Sequence, residues 1–165
     1  MGLNEDIQKI AMQERELELP RMDANTAWEL GSRLRAMAAE RGLAVVIDVR
    51  RYGQPLFYAA MDGTSPDNVE WVRRKSNVVA RFHHCSYVAG LKEKQKNQSL
   101  TESQGLPIAD YATHGGAFPL RVTGTGVVGS VTVSGLPQRA DHELVVEALC
   151  ALLGKNYADL KLDAE

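Results

Sequence analysis

The hydrophobic positions change period several times along the chain, and each change predicts an element. Leu3, Ile7, Ile10, Glu14 and Leu17 share one seam at helical spacing, so a first helix is expected over residues 3–19, ended by Pro20. Asp23 is placed to cap a second helix. Ala27, Leu30, Leu34, Met37 and Ala38 form its apolar face and Gly42 its stop. From Leu43 to Val49 the residues (LAVVIDV) are almost continuously apolar, as in a central strand buried on both faces. Arg51-Tyr52-Gly53-Gln54 turns the chain, and Leu56 to Met61 returns as the partner strand.

Ser65 and Pro66 open the next helix, serine as cap and proline at the first helical position. Val69, Val72, Ser76, Val79 and Ala80 give it a narrow apolar stripe. The helical period runs on towards Gln98, too far for one helix, so a break is expected around Phe82–Ser86. A second helix then passes through Tyr87, Leu91 and Lys94. Residues 99–113 read as loop with a short helical turn.

Strand patterning returns at Phe118, Leu120 and Val122, which alternate with Pro119, Arg121 and Thr123. Pro119 belongs on an edge strand, because it has no N–H for a ladder. Val127, Val128, Val131 and Val133, with Ser130, Thr132 and Ser134 between them, form the return strand after a turn at Gly124-Thr125-Gly126. Gly135-Leu136-Pro137 breaks it. Ala140, Leu144, Val145, Ala148, Leu149 and Leu152 then share one face of a last helix that Gly154 stops. The tail after Gly154 carries Tyr157, Leu160 and Leu162, an apolar set expected to dock on the domain or on a neighbouring subunit. The order ααββααββα lacks strict βαβ alternation, which predicts an α+β fold with a largely antiparallel sheet of four to five strands flanked by helices.

The 165 residues suit a single domain, 1–165, with an N-terminal helix (3–19), a core (23–153) and a C-terminal tail (155–165). A formal net charge of −2 offers no general field for nucleic acid or anionic membranes. No apolar run approaches the ~20 residues of a membrane span. Asn4, Glu5 and Asp6 do not read as a signal peptide. Two cysteines without framework spacing read as reduced thiols, and the expected location is the cytoplasm.

Several motifs carry candidate chemistry. Gly124-Thr125-Gly126-Val127-Val128-Gly129 satisfies G-x-G-x-x-G, but a strand rather than a helix follows, so it reads as a hairpin and not a dinucleotide site. His83-His84-Cys85 are consecutive, and neighbours on a helix point about 100° apart, so they cannot share one metal ion. The expectation is one ring in the core, one exposed, and Cys85 as a small buried hydrophobe. Trp71-Val72-Arg73-Arg74-Lys75 has two accounts, a solvated face or an anion-holding patch built from Trp71, Arg74 and Lys75. His114-Gly115-Gly116 also has two, a tight entry turn or a concavity whose glycine amides and imidazole hold an anion. Asp141 reads first as a charge favourable at the start of the last helix. No nucleophile stands beside an evident base: Ser134 lacks the G-x-S-x-G elbow, and Asp62 and Asp67 flank a loop.

HGGAFPLRV, GVVGSVTVSGL and the Asp141 helix resemble the GlcG/HbpS-like, or haem-degrading-domain, family. WVRRKSNVVARFHHCSY resembles one branch of it, and the likeness spans roughly residues 25–155. The resemblance implies a profilin-like α+β fold and symmetric homo-oligomers. Some relatives bind haem or corrinoid, so haem is the cofactor the resemblance suggests, although no ligating residue carries over.

These readings lead to a cytoplasmic, homo-oligomeric binding or scaffold protein without catalytic chemistry of its own. Its small anionic ligand would lie near Trp71, Arg74, Lys75, His114, Gly115 and Gly116. A haem- or tetrapyrrole-handling protein is the first alternative. An enzyme on a small carboxylate or phosphate, with His114 as general acid–base, is the second. A protein-interaction partner is a further possibility, with no local motif of its own. No metal, nucleic acid or membrane partner is expected.

Overall fold

The computed structural model describes residues 2–164. Its four strands are β1 (Val46–Arg51), β2 (Gln54–Ala60), β3 (Ala117–Val122) and β4 (Gly126–Ser134), and they form one sheet in the order β2-β1-β4-β3. Every neighbouring pair is antiparallel. The helices are α1 (Leu3–Glu16), α2 (Ala24–Arg41), α3 (Pro66–Phe82), α4 (Ser86–Lys96), α5 (Leu100–Gln104), α6 (Gln138–Leu153) and α7 (Tyr157–Leu160). The α+β architecture is therefore the one the hydrophobic pattern predicts, and Pro119 sits on an edge strand.

Register assigns each residue to a face. Phe57, Val49, Val131 and Phe118 lie in one cross-strand row. This face packs against α2 and α6 and carries the core. The next row, Tyr58, Asp48, Thr132 and Ala117, points the other way, beneath α3. That second face is polar where LAVVIDV suggested uniform apolarity. Asp48 is fully buried and takes two hydrogen bonds from Arg50, Nε at 2.7 Å and Nη2 at 2.9 Å. Ser130, Thr132 and Ser134 are buried beside it.

Boundaries differ from the sequence reading in explicable ways. α1 ends at Glu16 rather than at residue 19, because Leu19 leaves the helix to bridge Val122 of β3. β1 begins at Val46 and runs to Arg51. The break after α3 falls where it was expected: His83 turns left-handed and Cys85 caps α4, its Sγ accepting from Val88 N at 3.3 Å. Neither His83 nor His84 enters the core, contrary to the expected split. His84 is held outside because its Nδ1 bonds Glu14 Oε2 at 2.8 Å, while Glu14 Oε1 accepts from Cys85 N at 2.7 Å. The α3 stripe is also displaced. Val69 and Ala80 are exposed, and Lys75 and Val78 join Val72, Ser76 and Val79 inside. Gly129 lies within β4, where an added Cβ would stand 2.0 Å from Arg50 O, so the glycine motif serves strand packing. The tail docks as expected, with Leu160 and Leu162 buried.

The buried histidine is His142 of α6, packed between Tyr87 and Phe118 at centroid distances of 5.2 and 5.9 Å. Its Nε2–H donates to Gln13 Oε1 at 2.8 Å, and Gln13 Nε2 donates to Leu160 O, joining α6, α1 and α7. Nδ1 has no partner. Burial, with the Arg139 charge adding, pulls its pKa down to about 3. An unfolded histidine titrates near ~6.5, so below that value the unfolded chain takes up a proton that the folded chain refuses. Stability should fall as pH drops through this window, by up to about 1.4 kcal/mol per pH unit from this group. Denaturant titrations from about pH 7 down to about pH 4 should show a shallower decline in His142→Gln than in the wild type. Equal declines would assign the loss to other groups.

Candidate functional site

The candidate site forms where the first half of α3 crosses the end of β4 and the start of α6. A capping box sets the register of α3: the Asn68 side chain accepts from Ser65 N at 3.0 Å. Asn68, Trp71 and Lys75 then follow at spacings of three and four, so they share one face. The loop before β3 brings His114 to Trp71, with ring centroids 5.1 Å apart in an edge-on contact. Gly135 and Leu136 turn the chain out of β4, and Gln138 and Asp141 in the first turn of α6 complete the wall. Between them lies a cleft of about 260 Å³.

A buried ion pair closes its floor. Lys75 is 3% exposed and Asp141 2%. Lys75 Nζ lies 3.1 Å from Asp141 Oδ2 and also donates to Val133 O at 3.2 Å. Asp141 is fixed from the other side by Gly135 N (3.3 Å) and Leu136 N (2.9 Å). Burial pushes the Lys75 ammonium down from its ordinary pKa and the Asp141 carboxyl up, and each charge pulls the other partly back. Gly116 leaves room for the ammonium, since a Cβ there would stand 2.8 Å from Nζ.

The rim is different. His114 is exposed, and partial burial lowers its pKa, with the charges of Lys75 and Arg74 acting in the same direction. Its imidazole is therefore neutral at neutral pH, with Glu93 acting weakly the other way. Arg74 lies behind Trp71, its guanidinium carbon 5.1 Å from the indole centroid. Its Nη2 donates to Ile108 O at 2.8 Å and Tyr111 O at 3.4 Å. Gly115 N donates to Gln138 Oε1 at 3.0 Å.

Of the residues singled out in the sequence, Trp71, Lys75 and His114 line this one cleft. Three details differ from the expected anion patch. Lys75 is already paired with Asp141, Arg74 stands outside the cleft as the support of Trp71 and of the 108–111 loop, and the Gly115 amide is already engaged. Asp67, Asn68, Ser134, Gln138 and Asp141 were not foreseen as lining residues. Asp141 carried the one usable signal, an acid in a first helical turn directly after a glycine turn. Its partner is 66 residues away, a distance that no local pattern spans.

His83, His84 and Cys85 diverge, two to the surface and one to the core, and both cysteines are free and buried. No helix among the described residues is long and apolar enough to cross a membrane.

The comparisons with known proteins give the family and the fold. The model of the family Haem degrading protein HbpS-like matches residues 22–150. A UPF0303 protein of Acidobacterium capsulatum is 64% identical over 162 residues, 98% of each chain. One from Paraburkholderia phymatum is 59% identical over the same share. Among solved structures, Ybr137w is similar with a TM-score of 0.83 at 27% identity, covering 90% of both chains. HbpS shares the fold with a TM-score of 0.64 at 20% identity, over 83% of this chain and 93% of its own. PduOC, solved as a haem complex, does so with a TM-score of 0.68 at 16% identity, over 79% of this chain and 94% of its own. With most of its length matched by that family model and nearly all of it by UPF0303 relatives, the chain belongs to the HbpS-like family.

Proposed function

We propose that this chain is a cytoplasmic, self-associating protein, folded as a single domain, that binds a small anionic molecule in the cleft between α3, β4 and α6. One observation carries the reading: the neutral His114 ring stands edge-on against Trp71 at the mouth of a cleft whose floor holds the Lys75 ammonium. A ring nitrogen and an ammonium suit an anion, and the amides of Asn68 and Gln138 line the same cleft to orient it, beside the Asp67 carboxylate at the rim. Self-association is supported by the exposed Trp28, Tyr52, Tyr58 and Ile108 and by the edge strand β2, which carries no charged residue.

The indole of Trp71 can report occupancy. The chain has two tryptophans, and the other, Trp28, lies on α2 and is exposed, so Trp28→Phe leaves a single reporter. Titrating inorganic phosphate or acetate into this variant is expected to give a saturable fluorescence change. His114→Ala should weaken it by about tenfold, or about 1.4 kcal/mol. A flat titration would overturn the reading.

A haem-handling function is the second reading. It is favoured by the family model's description and by PduOC, a haem complex of the same fold. Hemin titrated into the same protein separates the two readings. A sharpened Soret band that His114→Ala abolishes would replace the anion with haem.

A further inference from the structure

We propose that Lys75 is a carbonyl-capturing amine, and that the cleft takes a small oxo acid whose ketone condenses with Nζ to an imine. This rests on the cleft being the ligand site and names the chemical class of its ligand. Stability alone does not account for the Lys75–Asp141 pair. A buried ion pair is commonly no better than apolar residues of the same volume, because desolvation offsets the attraction. Here the pair also borders an open cleft of about 260 Å³, which suits a molecule of a few carbons.

The surroundings fit such a molecule at both ends. Asn68, Ser134, Gln138 and His114 offer hydrogen-bonding groups to a carboxylate, and the amide nitrogen of Gln138 has no protein partner among the described residues. At the floor, Lys75 is the one lysine that lines the cleft, and a carboxylate able to take its proton lies 3.1 Å away. The two backbone N–H donors from Gly135 and Leu136 keep that carboxylate in place. Glycine at 116 keeps a Cβ, which would stand 2.8 Å from Nζ, out of the space beside the amine.

The step balances without any further reactant. Asp141 takes a proton from the ammonium, and the amine electron pair forms the C–N bond. The carbonyl π pair moves to oxygen, which takes that proton to give a carbinolamine. Nitrogen then gives a second proton to Asp141, which passes it to the hydroxyl. The C–O bond breaks, water leaves, and the nitrogen pair closes the C=N bond. The product is a protonated imine still facing the Asp141 carboxylate, with one water released.

The test uses the full wild-type chain, pyruvate as probe and borohydride to trap the imine, followed by peptide mapping. The expected result is one adduct, on the peptide containing Lys75, at least tenfold above any surface lysine. Excess phosphate should suppress it, and Lys75→Arg, which keeps a cation beside Asp141, should abolish it. Adducts spread evenly over surface lysines would overturn the proposal. So would the lack of any adduct while pyruvate still changes the Trp71 fluorescence of the Trp28→Phe variant, and in that case the ligand site stands and only the chemistry fails. If pyruvate neither binds nor reacts, the oxo-acid proposal falls, and the phosphate titration decides the anion site separately.

Discussion

Asp141→Ala is expected to cost about 3–5 kcal/mol of folding stability, because it leaves a buried ammonium with no counter-charge. Val133 O would be the only remaining acceptor of Lys75 Nζ among its present contacts. The amides of Gly135 and Leu136 would lose their acceptor as well, and an unsatisfied buried donor costs about 1–3 kcal/mol. These penalties overlap, so they do not simply add. Asp141→Asn should be milder, since its carbonyl can still accept from Leu136 while the charge is gone. Lys75→Met combined with Asp141→Leu should recover most of the loss, as apolar replacements of buried pairs do elsewhere. Urea denaturation near neutral pH measures all four proteins. A single-variant cost below about 1 kcal/mol would mean that water reaches the pair, and the description of the floor would be wrong. Recovery of stability in the double variant, with ligand uptake lost, would show that the pair is kept for its chemistry.

The sheet and most helices were legible because their signals are local. The Phe118 and Val127 strands alternate over a few residues, and Asp23, Gly42, Gly135 and Gly154 punctuate at fixed offsets. The face of α3 was misjudged for a physical reason. Periodicity assumes that the buried face is the apolar one, but α3 lies on the polar face of the sheet, over Asp48, Ser130, Thr132 and Ser134. Lys75 and Ser76 can therefore be buried while Val69 stays exposed. The same blindness hid His142 and Gln13, which hydrogen-bond each other across 129 residues. Trp71, Lys75 and His114 were found as residue types that suit an anion. What they form together depends on Asp141 and Gln138, which only the tertiary fold delivers.

Gly116→Ala should be the more damaging of two alanine substitutions around the β3–β4 hairpin, with Gly124→Ala as the internal control. Both glycines have positive φ, +138° and +77°, so alanine is strained at either position. At Gly124 nothing lies within 4 Å of the new Cβ, and the strain alone should cost about 1 kcal/mol. At Gly116 the new Cβ would stand 2.2 Å from Val133 O, 2.8 Å from Lys75 Nζ and 3.3 Å from Asp141 Cβ. Val133 O also accepts from Lys75, and Val133 N donates to Gly116 O at 3.0 Å, so the clash falls on atoms that hold the strand and the ion pair together. The expected cost exceeds about 4 kcal/mol, a size reserved for a few mechanisms that include special backbone geometry and broken buried networks. Thermal unfolding should show a large drop in midpoint, or no folded protein at all, for Gly116→Ala and a shift of a few degrees for Gly124→Ala. Equal shifts would place Gly116 in an ordinary turn. The expected inequality instead makes the second glycine of His114-Gly115-Gly116 the space that admits the lysine, not an amide aimed at a ligand.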